Sequence, residues 1–132
     1  MKKKYKEEKR LSQRHLNRCK IMGYILAIDQ GTTTTTALIV DNNGKIISSC
    51  STDYPQHYPQ SGYVEHLASD IKRSVETSIK TAIDRATLKP NQISAIGITN
   101  QRETVCLFDQ QGNSDYPFIV WHYQRYGDLH RP

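Results

Sequence analysis

Tyr24-Ile25-Leu26-Ala27-Ile28-Asp29-Gln30-Gly31-Thr32-Thr33-Thr34-Thr35-Thr36-Ala37-Leu38-Ile39-Val40 is the stretch that decides the fold of this chain. Two apolar runs, Tyr24 to Ile28 and Ala37 to Val40, flank a break at Asp29-Gln30-Gly31. Short runs rich in β-formers and bounded by Asp, Asn and Gly read as strands. On the C-terminal side, Asp41-Asn42-Asn43-Gly44 is a tight-turn signal, because Asn and Gly tolerate positive φ. Lys45 to Tyr54 then returns as a third strand. Three strands joined by tight turns predict an antiparallel meander.

Farther out, Pro55 to His66 is rich in Pro, Gln, Tyr and Gly and reads as an ordered loop. Leu67, Ile71, Val75, Ile79, Ala82, Ile83 and Ala86 then recur at helical spacing, with Lys72, Arg73, Glu76, Lys80, Asp84 and Arg85 between them. That spacing predicts an amphipathic helix that buries the apolar stripe. It should end near Leu88, since Pro90 disfavours helix at Lys89. Ile93 to Ile98 is a further strand, and the intervening helix lets it run parallel to an earlier one. Thr104 to Phe108 reads as a fifth strand, Gln110-Gln111-Gly112-Asn113 as a turn and Phe118 to Trp121 as a short sixth strand. The order is β-β-β-α-β with an added hairpin, a mixed-sheet α/β domain.

The 132 residues carry a net charge of +5, which invites a nucleic-acid reading until the charge is located. Residues 1–22 hold nine basic and two acidic side chains (+7), while residues 23–132 are slightly acidic (−2). We therefore expect a basic, disordered extension over 1–22 and a domain over 23–132, with no nucleic-acid partner. The leader lacks the apolar centre of a secretory signal, and no later run approaches the roughly 18 apolar residues of a membrane span. No membrane partner and a cytoplasmic location are expected. Cys19, Cys50 and Cys106 are odd in number and widely spaced, which fits reduced thiols. The five histidines show no metal-ligand spacing.

Chemistry concentrates at two places. At Asp29-Gln30-Gly31-Thr32-Thr33, Gly31 lets the backbone approach a ligand, and amides and hydroxyls of Thr32, Thr33 and Thr34 can surround phosphate oxygens. Asp29 could hold Mg²⁺ there. A polar β-turn followed by a threonine run fits the same residues. At Asn100-Gln101-Arg102-Glu103-Thr104, Arg102 presents a fork of donors and Glu103 an acceptor, a pair suited to the vicinal hydroxyls of a polyol. A surface ion pair between adjacent strands fits them too. Trp121, the sole tryptophan, can back the carbon side of a polyol or sit in the core.

Taken in order, Asp29-Gln30-Gly31-Thr32-Thr33, then Tyr58-Pro59 with Gly62-Tyr63-Val64-Glu65-His66, then Gly97-Ile98-Thr99-Asn100-Gln101-Arg102-Glu103-Thr104 resemble the start of the glycerol kinases. These belong to the larger family of carbohydrate kinases built on the actin and ribonuclease H type fold, and the resemblance runs from about Tyr24 to Arg125. It implies an incomplete ribonuclease H-like (actin-like ATPase) domain and ATP-dependent phosphorylation of glycerol. By that resemblance Gly31, Thr32, Thr33 and Thr34 contact nucleotide phosphates, with Thr32 also near the product phosphate. Asp29 binds Mg²⁺, and Arg102, Glu103 and Trp121 hold glycerol.

Departures from the family pattern accompany the matches. Thr36 stands where the family usually has an arginine that contacts nucleotide phosphate, and Leu67-Ala68 replaces the usual Asp-Pro helix start. The family is several times longer. Its catalytic aspartate, a further polyol-binding tyrosine and the adenine-holding second domain lie beyond what Pro132 reaches, so the expectation is an inactive fragment when alone, with no catalytic residue assigned. The alternative is a non-catalytic phosphate- or polyol-binding or interaction module that joins a separate second half.

Overall fold

The computed structural model describes residues 23–114 and 116–120. The expected basic extension, Trp121 and the residues after it lie outside these. Strand β1 (Tyr24–Gln30) pairs antiparallel with β2 (Thr34–Val40), which pairs antiparallel with β3 (Ile46–Asp53). The β2–β3 turn closes as its residues dictate. Asp41 accepts the amides of Asn43 and Lys45 at 2.8 and 2.9 Å, and Gly44 takes φ 81°. Those amide bonds, the Lys45 one foremost, hold the Asp41 carboxyl below the ordinary aspartate range.

Helix α1 (Ala68–Arg85) carries the chain over the meander, and a 3-10 turn at Pro90–Gln92 leads into β5 (Ile93–Asn100). β5 lies parallel to β1, with Leu26 opposite Ile96, Ile28 opposite Ile98 and Asp29 opposite Thr99. The sheet order is β3-β2-β1-β5, the mixed sheet expected from the chain order. A second small sheet pairs β4 (Glu65–His66) with β6 (Phe118–Ile119). β4 falls inside the stretch that reads as loop. Its two residues are too few to show a strand period.

The core is Leu26 and Ile28 of β1, Ala37 and Ile39 of β2, Cys50 of β3 and Ala82 of α1, ringed by Tyr24, Ile79, Ile83, Ala86, Leu88 and Ile93. Burial inside it accounts for the period-2 pattern of the strands. α1 differs from its sequence reading in two respects. It ends at Arg85, short of Leu88. Its deepest stripe is Asp70, Ser74, Ser78 and Ala82, while the flanking isoleucines are only partly covered.

Small side chains let the helix approach closely, and hydroxyls then bond across the contact. Ser74 Oγ shares a 2.7 Å bond with Thr35 Oγ1, Ser78 Oγ donates to the Thr35 carbonyl at 3.0 Å, and Ser48 Oγ donates to the Ala82 carbonyl at 2.6 Å. The threonine run is thus largely sheet: Thr34 to Thr36 belong to β2, and Thr35 is wholly buried. The helix starts at Leu67 without a side-chain cap, as Leu67-Ala68 predicts.

The hairpin expected after β5 does not form. Thr104 to Phe108 makes only an isolated bridge, Val105 to Ile119, although the turn closes through Asp109 and Asn113. Val105, Leu107 and Phe108 are exposed, so no apolar face rewards the ladder.

A cleft at the ends of β1 and β5

Parallel pairing of β1 with β5 brings their carboxyl ends to one edge, where α/β sheets gather ligands. β1 runs out at Asp29-Gln30, and the turn after it closes with the Gly31 amide donating to the Thr34 carbonyl at 3.0 Å. A Cβ on Gly31 would lie 3.1 Å from that same carbonyl oxygen, a tight contact, so glycine suits the turn. Beyond β5, the Gln101 amide donates to the Gln30 carbonyl at 2.7 Å. That bond sets the next two residues beside the glycine turn.

The result is an open cleft of about 930 Å³ lined by Asp29, Gly31, Thr32, Arg102 and Glu103 together with the Ile98–Gln101 end of β5. Five of the residues singled out from sequence converge here. Arg102 and Glu103 are solvent-exposed, Glu103 has φ 59°, and no ion pair holds either among the described residues. A planar donor fork and a carboxylate on one rim can give and take hydrogen bonds from a diol. Asp29 is exposed at the mouth, a carboxylate able to meet a divalent cation.

Two residues singled out from sequence are not part of the cleft lining. Thr33 is exposed, and its carbonyl accepts the Tyr54 amide at 3.1 Å. Thr34 Oγ1 donates to Asp53 Oδ1 at 2.5 Å within the sheet. Thr36 bonds Ser51 Oγ at 2.9 Å and stands opposite Asp29 in the β1–β2 register.

Sequence reasoning missed the polar layer beneath the turn. Tyr54 follows β3 on the face set by Cys50 and Thr52, is 7% exposed, and donates its hydroxyl to the Gly31 carbonyl. Gln30 Nε2 donates to that carbonyl at 2.7 Å and to the Tyr54 hydroxyl at 2.8 Å. On the other side of the layer, Gln101 Nε2 lies 3.3 Å from Nδ1 of fully buried His66. Burial pushes the Tyr54 phenol up, which keeps it a donor. The period-2 alternation through Cys50, Thr52 and Tyr54 was the available signal, since a buried tyrosine hydroxyl seeks a partner.

A mixed sheet backed by one helix, with a glycine turn and a polar rim meeting at its carboxyl edge, defines a domain of the actin-like ATPase fold as sugar kinases use it. The chain belongs to the FGGY family of carbohydrate kinases, matching the family's N-terminal domain over residues 24–129. It is 49% identical over 108 residues to a glycerol kinase of Chelativorans sp., covering 81% of this chain and 22% of that protein. A glycerol kinase of Thermococcus gammatolerans is 44% identical over 106 residues, 80% of this chain and 22% of its own length. Among solved structures, Plasmodium falciparum glycerol kinase with ADP superposes with a TM-score of 0.71 at 32% identity, over 82% of this chain and 22% of that one. The chain therefore spans about a fifth of the length of the relatives it matches.

Proposed function

We propose that this domain supplies one wall of a glycerol kinase site, in which the γ-phosphoryl group of ATP passes to a terminal hydroxyl of glycerol to give glycerol 3-phosphate in the cytoplasm. One observation carries the reading: Arg102 and Glu103 share a single cleft with Asp29, Gly31 and Thr32. Similarity to glycerol kinases over four fifths of the chain supports the substrate.

In this reading Arg102 donates to glycerol oxygens and Glu103 accepts from its hydroxyls, which orients one terminal hydroxyl toward the Gly31 turn. Gly31 and Thr32 face the phosphates, Thr32 nearest the transferred group. Asp29 is the residue fitted to hold Mg²⁺, which when bound supplies charge neutralisation at the phosphates. Phosphoryl transfer depends on placing both reactants at once. No base is assigned among the described residues, so this domain by itself is read as inactive.

Calorimetry with glycerol on the full chain tests this. Binding at millimolar glycerol is expected, weakened at least tenfold in Arg102→Ala, with no turnover in a coupled assay for ATP-dependent phosphorylation. Equal affinity in the variant would remove Arg102 from the site, and turnover by the chain alone would refute the reading of the domain as inactive by itself.

A further inference from the structure

Tyr54 lies beneath the cleft without lining it, bonded to the Gly31 arm and packed on His66 beside the Gln101 arm. Its hydroxyl bonds the Gly31 carbonyl, which Gln30 Nε2 also caps at 2.7 Å, so two donors direct that oxygen toward a buried group. A carbonyl dipole turned toward an anion would repel it, so drawing this one inward favours phosphate at the turn. On the other arm, Gln101 Nε2 lies 3.3 Å from Nδ1 of His66, and the Gln101 backbone amide is tied to the Gln30 carbonyl at 2.7 Å. Gln101 directly precedes Arg102 and Glu103. The Tyr54 ring is itself fixed, edge-on to His66 with centroids 5.1 Å apart.

We propose that Tyr54 is a positioning residue whose hydroxyl holds the Gly31 carbonyl out of the cleft and which, through Gln30, His66 and Gln101, couples anion binding at the turn to polyol binding at Arg102 and Glu103. The coupling rests on the glycerol kinase reading above; the positioning does not. With the hydroxyl in place, either ligand orders a structure that the other also requires, and such linkage is reciprocal.

Tyr54→Phe removes the hydroxyl and keeps the ring on His66, and Gln101→Leu removes the Gln101 contact to His66 on the other arm. Amide NMR of the ligand-free full chain should show Gly31, Thr32, Gln101 and Arg102 shifting together in Tyr54→Phe, with the Asp41–Lys45 turn unchanged. Changes confined to residues 53–55 would overturn the positioning role. Glycerol is then titrated with and without saturating magnesium pyrophosphate. In the wild type, pyrophosphate should tighten glycerol binding by about fivefold, the low end of ordinary coupling. In either variant that factor should fall to about one, and in Tyr54→Phe, at a position that does not line the cleft, glycerol affinity alone should change less than twofold. Retention of the full factor in both variants would overturn the coupling. If the wild type binds neither probe, the glycerol kinase reading fails, and the NMR comparison still decides the positioning.

Discussion

Thr36 and Asp29 stand opposite one another across the β1–β2 pair, so a side chain at 36 shares the face and the neighbourhood of the cleft-lining carboxylate. At position 36, where the resemblance leads to an expected arginine, the threonine hydroxyl bonds Ser51 Oγ. Thr36→Arg should place a cation beside Asp29 and tighten magnesium pyrophosphate binding by about tenfold, equivalent to about 1.4 kcal/mol. Unchanged affinity by calorimetry would show that position 36 does not reach the anion.

Asp41 offers a prediction of a different kind. Its carboxyl is held down by the Lys45 and Asn43 amides, so its contribution is fully present above the unfolded-state pKa and is lost as pH falls through the lower folded-state value. Carboxyl NMR should find Asp41 titrating below ordinary aspartates, and Asp41→Asn should flatten the acid limb of the stability curve; titration in the ordinary range would contradict the turn geometry. The Asp41 turn was legible because all its partners lie within four residues. The role of Tyr54 was not, because its hydroxyl bonds a carbonyl 23 residues away.

At the scale of the element, α1 shows how a helix can satisfy an amphipathic pattern and still bury something else. The apolar spacing placed the helix correctly, but a serine stripe takes the closest contact because hydroxyl partners on β2 and β3 are there to receive it. Ser78 Oγ meets both the Thr35 carbonyl and, at 2.8 Å, Thr52 Oγ1. Ser78→Ala should cost about 1–2 kcal/mol by leaving Thr52 unpaired, and Ser78→Val should cost more by wedging the helix off the sheet. Thermal denaturation checks the order; a more stable valine variant would mean the contact is loose.

The uncapped start is compensated by Asp70, which is bonded by His57 Nε2 at 2.9 Å and Arg73 Nη2 at 3.2 Å. Leu67→Ser adds a cap without a like charge beside Asp70. It should raise stability by up to about 1 kcal/mol, visible as a higher melting temperature.

Over the whole molecule, the cover provided by α1 stops at β1. Leu26 and Ile28 are 3% and 6% exposed, yet their β5 partners Ile96 and Ile98 are 61% and 71% exposed on the same face. β5 carries no charge and no proline, the devices that usually protect an edge strand. Self-association through this edge is therefore expected at high concentration. Ile98→Lys should shift the chain toward monomer in analytical ultracentrifugation with the sheet intact by circular dichroism. A monodisperse wild-type monomer would refute this.

The sequence by itself determined β1, β2, β3, α1 and β5, the Asp41 turn and the uncapped helix start, because each depends on a period or a turn conformation written in neighbouring residues. It also marked Asp29, Gly31, Thr32, Arg102 and Glu103 as chemically apt. Only the tertiary structure decided that these five share one cleft, since the β1–β5 pairing joins segments that are distant in the chain. It likewise decided that Thr34 to Thr36 belong to the sheet and that Thr104 to Phe108 makes no strand. Whether a β-prone residue joins a ladder depends on the burial its neighbours in space supply, and a local pattern does not contain that quantity.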